Sequence, residues 1–137
     1  MEAQKSQFVP DWLHKRAQLT PSRVALEDSA SGQQITYREW NASANRTTNY
    51  LRALGVETGD RVAVYASNSL EYLDIWMACG KIGAILQNLN WRLTPAELSA
   101  LIVDAAPVAL IYSGEYTRGV NQMRAGIPSV RHFIAID

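Results

Sequence analysis

The sequence predicts an α/β fold in which helices cover a largely parallel sheet. Three observations carry that prediction. From Arg61 onward, short apolar β-rich runs alternate with apolar helical segments, which is the pattern of a parallel sheet built from crossover units. The helical segments begin at recognisable caps, Asn68 with Glu71 and Thr94-Pro95 with Glu97. Finally, residues 79–112 (CGKIGAILQNLNWRLTPAELSALIVDAAPVALIY) place a small-residue turn, an apolar run, a polar corner, a capped helix and a second apolar run in strand–helix–strand order.

Taken along the chain, residues 9–18 carry Val9, Trp12, Leu13, Arg16 and Ala17 at helical spacing, and Thr20-Pro21 ends that helix. Residues 24–28 and a run ending at Thr36 read as two strands of a hairpin across a Ser-Ala-Ser-Gly-Gln turn. Thr36 and Glu39 form a capping box, in which the hydroxyl accepts an amide proton while the carboxylate reaches back to the cap. The helix behind it sets Tyr37, Trp40, Ala44, Tyr50, Leu51 and Leu54 near one face, and Gly55 stops it. Gly59-Asp60 turns the chain into a strand at 61–65. The next helix runs through Lys81, and Leu70, Leu73, Ile75, Trp76, Met77 and Cys79 predict burial on most of its sides. A strand at 85–89 follows, then the Thr94 helix with Leu98, Leu101, Ile102 and Ala105 as its apolar stripe, closed by Pro107. A strand at 108–112, a helix at 116–124 and a last strand at 132–136 complete the chain.

Composition bounds the function classes. A chain of 137 residues, 47% hydrophobic and 19% charged, fits one globular domain spanning residues 1–137. Thirteen basic residues balance thirteen acidic ones without a basic–aromatic cluster, which argues against a nucleic-acid or anionic-lipid footprint. The one cysteine, Cys79, excludes an internal disulfide and suits a reducing compartment. The N-terminal MEAQKSQFVPDW has no signal-peptide core, and no run approaches membrane-spanning length, so the expectation is a soluble cytoplasmic protein.

Ligands of such sheets sit at the carboxyl ends of the strands, which directs attention to three corners: Ala66–Ser69, Asn88–Arg92 and Ser113–Glu115. Most chemistry is absent. Gly80 and Gly83 lie at a helix end, where a C-cap explains them better than a phosphate loop. His14 and His132 lack clustered metal ligands, so no metal site is expected. Ser67 and Ser69 lack a nucleophile-elbow setting and read as helix caps. Cys79, Trp12, Trp40 and Trp76 read as core residues, and Asp60 as a turn residue. No catalytic residue is assigned. Arg92 is the exception among binding candidates: a guanidinium before a capped helix offers directed donors to a phosphate, while the simpler reading is a surface arginine that shapes the loop.

Several segments resemble, in order and spacing, the N-terminal part of the adenylate-forming acyl-CoA synthetases and acid–CoA ligases, with their luciferase and peptide-synthetase relatives. These are Arg16-Ala17 with Pro21 and Val24-Ala25-Leu26, Thr36-Tyr37-Arg38-Glu39-Trp40, Gly59-Asp60-Arg61-Val62-Ala63-Val64, Asn68-Ser69-Leu70-Glu71-Tyr72, Lys81-Ile82-Gly83-Ala84-Ile85 and Asn90-Trp91-Arg92-Leu93-Thr94-Pro95-Ala96-Glu97-Leu98. The resemblance implies the N-terminal subdomain of the luciferase-like fold. It also implies a larger parent enzyme that uses ATP and magnesium to turn a carboxylic acid into an acyl-adenylate and then passes the acyl group to CoA. The Asn-Trp-Arg-Leu-Thr-Pro-Ala-Glu-Leu wording is more like the CoA-ligase branch. In some such ligases the arginine at this corner contacts the ribose phosphate of CoA, a role the resemblance carries to Arg92.

Two departures stand out. The family usually has a proline near the exit of the strand before this corner, where this chain reads Leu86-Gln87-Asn88-Leu89-Asn90. The family's ATP-phosphate loop, magnesium and adenine motifs and C-terminal catalytic lysine lie downstream, and Lys5, Lys15 and Lys81 are not beside an ATP cradle. Residues 1–137 are therefore expected to be inactive alone, to bind neither ATP, magnesium nor CoA well, and to self-associate through apolar surface. The family's acyl pocket comes mostly from later residues, so the acid is not written in this segment. Two readings stay open: an N-terminal portion of an acid–CoA ligase, or a short non-catalytic α/β binding module. The coding sequence beyond Asp137 discriminates them.

Overall fold

The structure, a computed structural model, describes residues 10–137. Val9, the predicted start of the first helix, and Lys5 lie outside the described residues. The elements run α1 (Trp12–Leu19), β1 (Val24–Glu27), β2 (Gln34–Thr36), α2 (Tyr37–Ala53), β3 (Arg61–Tyr65), α3 (Leu70–Ile82), β4 (Ile85–Asn88), α4 (Pro95–Ala105), β5 (Ala109–Ser113), α5 (Thr117–Met123) and β6 (His132–Ile136). A 3₁₀ turn, Gly114–Tyr116, leads into α5, and a second, Arg124–Gly126, follows it.

β1 and β2 form the predicted antiparallel hairpin. The other four strands make one sheet in the order β4-β3-β5-β6, with every neighbouring pair parallel. The predicted α/β architecture is thus the observed one. Alternation along β3 and β5 divides the interior into two layers, because successive strand residues point to opposite faces. Val62, Val64, Ala109 and Ile111 pack with Leu51 of α2 and with Ile75, Ala78, Cys79 and Ile82 of α3. Ala63, Tyr65, Leu110 and Tyr112 pack instead with Leu98 and Ile102 of α4 and Val120 and Met123 of α5. Each fully buried leucine or isoleucine in these layers contributes about 1.5–3 kcal/mol relative to exposure.

A smaller cluster of Leu13, Trp40, Ala44 and Met77 seats α1 and the hairpin on the α2–α3 pair. It is tied by one ion pair: the Lys81 ammonium, with its side chain only 5% exposed, reaches Asp11 at 2.8 Å and Asn41 Oδ1 at 2.7 Å. Burial alone raises the Asp11 carboxyl, but hydrogen bonds from Lys81 and the His14 N–H, with the Lys81 charge, hold it below the ordinary aspartate range.

Caps account for the helix starts. Thr36–Glu39 and Thr94–Glu97 are both complete capping boxes, as predicted. Of the cap candidates Asn68, Ser67 and Ser69, the cap of α3 is Ser69, which accepts from the Tyr72 N–H at 3.1 Å. Asp11 caps α1, so that helix starts later than the apolar spacing implies. Gly83 ends α3 in the left-handed region at φ 81°, which supports the C-cap reading of the Gly80–Gly83 pair.

The tryptophans correct one expectation. Trp40 is buried, yet Trp12 is 50% and Trp76 49% exposed. Trp12 meets Trp40 edge-on at 6.3 Å and leaves its other side open, while Trp76 sits on the side of α3 turned from the sheet. Tyr50 on α2 and Leu101 on α4 are likewise exposed members of predicted apolar stripes.

Candidate functional site

Because the sheet is parallel, the exits of β3, β4 and β5 share one rim. α3 packs on one face and α4 and α5 on the other, so the connections leaving β3 and β5 diverge. A sheet of this kind opens a crevice where its connections part. A concavity of about 240 Å³ lies there, lined by Ser69, Glu71, Ser113, Gly114, Glu115 and Asp137 among others. At the β3 exit Tyr65, which packs in the α4–α5 layer, stacks on Tyr116 with ring centroids 4.3 Å apart. Burial raises the Tyr65 hydroxyl's pKa, with Tyr116 and Glu115 adding to it, so Tyr65 stays a neutral phenol at physiological pH. The lining is acidic and carries no cation, which makes it a poor receiver of phosphate.

The β4 exit has the opposite character. β4 ends at Asn88, one residue before the predicted end. The buried Leu89 still anchors the chain, since its N–H donates to Val64 O at 3.0 Å. Asn88, in the stretch where the resemblance leads one to expect a proline, accepts a hydrogen bond from the Tyr72 hydroxyl of α3. A side-chain tie therefore stands where a rigid ring would limit the backbone. Asn90 closes the corner: its Oδ1 accepts the Arg92 N–H at 3.0 Å and its carbonyl the Leu93 N–H at 3.0 Å. Arg92 is exposed, with its guanidinium carbon 4.1 Å from the centroid of the Trp91 ring.

The start of α4 itself has little to offer an anion. Pro95 has no N–H, the Glu97 N–H goes to Thr94 Oγ1, and the Leu98 N–H goes to Thr94 O. The Glu97 carboxylate accepts from the Thr94 N–H at 2.8 Å and from its hydroxyl at 2.9 Å. These bonds, the backbone one foremost, keep Glu97 below the ordinary glutamate range and charged. The cationic donor this corner presents to solvent is thus the Arg92 side chain, and the α4 start, engaged in its own cap, adds little to it.

The remaining candidates fall into structural roles. Asp60 accepts the Glu57 N–H at 2.8 Å within a turn. Cys79 is buried, and burial pushes its thiol up to about 12. His14 is exposed, and His132 pairs within the sheet on β6. Lys81 is engaged with Asp11 and Asn41. Ser67 is exposed at the β3 exit, and the cap belongs to Ser69. Sequence reasoning misses the Lys81–Asp11, Tyr72–Asn88 and Arg92–Trp91 contacts. Only the last pair is adjacent, where an aromatic residue beside a basic one is a local signal.

Known proteins align closely with this arrangement. The profile of a family described as AMP-binding enzyme matches residues 13–137. The 3-oxocholest-4-en-26-oate–CoA ligase of Rhodococcus rhodochrous is 33% identical over 129 residues, covering 94% of this chain and 23% of that protein. The feruloyl-CoA synthase of an Amycolatopsis species is 35% identical over 122 residues, covering 89% of this chain and 24% of its own length. The chain therefore spans about a quarter of the curated relatives it matches. Among solved structures, the inhibitor-bound N-terminal domain of FACL13 from Mycobacterium tuberculosis superposes with a TM-score of 0.88 at 31% identity, over 93% of this chain and 33% of that one.

Proposed function

This chain belongs to the AMP-binding enzyme family, and on that premise we propose that it is the N-terminal portion of a cytoplasmic, ATP-dependent acid–CoA ligase that couples a carboxylic acid to CoA through an acyl-adenylate. The match over residues 13–137 carries the proposal, and the activities named for both curated relatives, which form CoA thioesters, support its CoA branch. In this reading residues 1–137 form a single α/β subdomain whose sheet carries the β4–α4 corner to the CoA side of the active site.

Arg92 contacts a phosphate of CoA. A guanidinium fits a phosphate because its planar fork presents paired donors and keeps its charge at any physiological pH. The corner suits such a contact, since Asn90 fixes the backbone and Arg92 projects exposed. ATP and magnesium do not fit these residues. The described glycines with positive φ sit at turns and helix ends, and no group of three His, Cys, Asp or Glu gathers among the described residues. No step of adenylate formation is assigned to this segment.

The acid is selected elsewhere. The two curated relatives act on a steroid acid and on ferulate, yet match this segment at 33% and 35% identity.

In the full-length enzyme, Arg92→Ala raises the KM for CoA roughly 10- to 150-fold, the equivalent of losing a charge-assisted hydrogen bond of about 1.5–3 kcal/mol. Carboxylate-dependent exchange of pyrophosphate into ATP stays within about twofold of wild type, because adenylation precedes CoA binding in this reading. Unchanged CoA kinetics in the variant reduces Arg92 to a loop-shaping residue.

A further inference from the structure

We propose that Trp91 is the positioning residue for Arg92, its indole face holding the guanidinium away from the Glu97 carboxylate so that the cation stays open to CoA. The inference rests on the reading of Arg92 given above and extends it to a second side chain.

The corner places one cation and one anion close together in sequence. Glu97 is fixed at the α4 start by Thr94, at 2.8 and 2.9 Å, and it is charged. A flexible arginine five residues earlier would gain by folding onto that carboxylate, and its donors would then be spent within the protein. That pairing is not formed: among the described residues, the ion pair within 4.0 Å is Lys81–Asp11, and none involves Arg92. The guanidinium lies on the Trp91 ring instead, 4.1 Å from its centroid.

Stacking has a consequence that an ion pair lacks. A guanidinium held by its face keeps its N–H donors directed outward in the plane, where a phosphate can take two of them together. It also limits the rotamers that binding must freeze, which reduces the entropic cost of recognition. Trp91 is 42% exposed, so its ring is a platform at the surface and not a filler of the core. The turn beneath is closed by the Asn90 bonds from the Arg92 and Leu93 N–H groups, both 3.0 Å, which fixes the backbone that carries the two neighbouring side chains.

Stacked arginines occur elsewhere in this chain, Arg16 on Tyr37 and Arg124 on Phe133. Stacking is therefore not by itself a sign of ligand binding. Arg92 differs in standing at the strand exit, two residues before the Thr94 cap of α4.

The test uses the full-length enzyme with Trp91→Leu, Trp91→Phe, Arg92→Ala and the Trp91→Leu/Arg92→Ala double variant. Trp91→Leu is expected to raise the KM for CoA about 3- to 10-fold at unchanged kcat, in keeping with the range of exposed to partly desolvated cation–π contacts. Pyrophosphate exchange stays unchanged, and Trp91→Phe restores the KM to within about twofold of wild type, since a phenyl face also stacks a guanidinium. In the Arg92→Ala background Trp91→Leu adds no further effect. If Arg92→Ala raises the KM while Trp91→Leu does not, or if Trp91→Leu acts equally with and without Arg92, the positioning role is overturned and the Arg92 contact survives. If Arg92→Ala itself leaves the KM unchanged, both fall.

Discussion

The middle of the sheet and the exit of β4 are held by different physics. β3 and β5 are buried on both faces, and their residues need only be apolar and of suitable volume to be covered by α3 on one side and α4 on the other. The corner from Asn88 to Thr94 is largely exposed, and directional contacts give it shape: Tyr72 to Asn88, Asn90 to the Arg92 N–H, Trp91 under Arg92, and Thr94 with Glu97. The interior fixes where the corner stands. The corner's few contacts decide what it presents. Stability and recognition should therefore separate under mutation.

The largest effect is expected in the interior. Ile102 of α4 is fully buried in the layer with Leu110 and Tyr112. Ile102→Ala should lower unfolding free energy by about 2–5 kcal/mol, from lost transfer energy and the cavity left behind. Denaturant midpoints measure it. At temperatures where the variant remains folded, the KM for CoA should match wild type. A variant that loses CoA affinity in proportion to its stability would break the separation.

A smaller effect is expected at the ion pair joining α1 to α3. Lys81→Met removes the partner of Asp11 and should cost about 1.5–3 kcal/mol at pH 7. The sign with pH follows from Asp11, whose carboxyl is held below its ordinary value. A depressed carboxyl stabilises the fold above the unfolded pKa, and that contribution is lost as pH falls through the folded one. The gap between wild type and Lys81→Met should therefore narrow between pH 7 and about pH 3. An equal gap at both pH values would assign the stability of the tie to packing of the lysine stem.

What can be read in the sequence follows the same division. The strands, the hairpin and both capping boxes are legible because their signals are local: short apolar runs between turn residues, and a Thr three residues before a Glu. Trp76 escapes such a reading because α3 is apolar around most of its circumference, so its periodicity cannot say which side a neighbour covers. Lys81 lies 70 residues from Asp11, and Tyr72 lies 16 from Asn88; no local pattern joins such partners. At the candidate site, the position of Arg92 is legible from the polar corner before a capped helix. How its guanidinium is held is not, since its place over the Trp91 ring is set by side-chain geometry that no spacing records.

The division also predicts what these residues do by themselves. In the proposed reading the sheet positions a CoA contact, and the described residues form no phosphate cradle, so residues 1–137 should not activate an acid, because adenylation needs charge stabilisation around the transferring phosphorus. Carboxylate-dependent exchange of labelled pyrophosphate into ATP, measured side by side for residues 1–137 and for the full-length protein over a broad panel of acids, tests this most directly. The full-length protein is expected to exchange with at least one acid and, once CoA is added, to yield its thioester; residues 1–137 are expected to match a no-protein control. Sustained exchange by residues 1–137 in a sample free of host ligases, or none by the full-length protein with any acid of the panel, would contradict it.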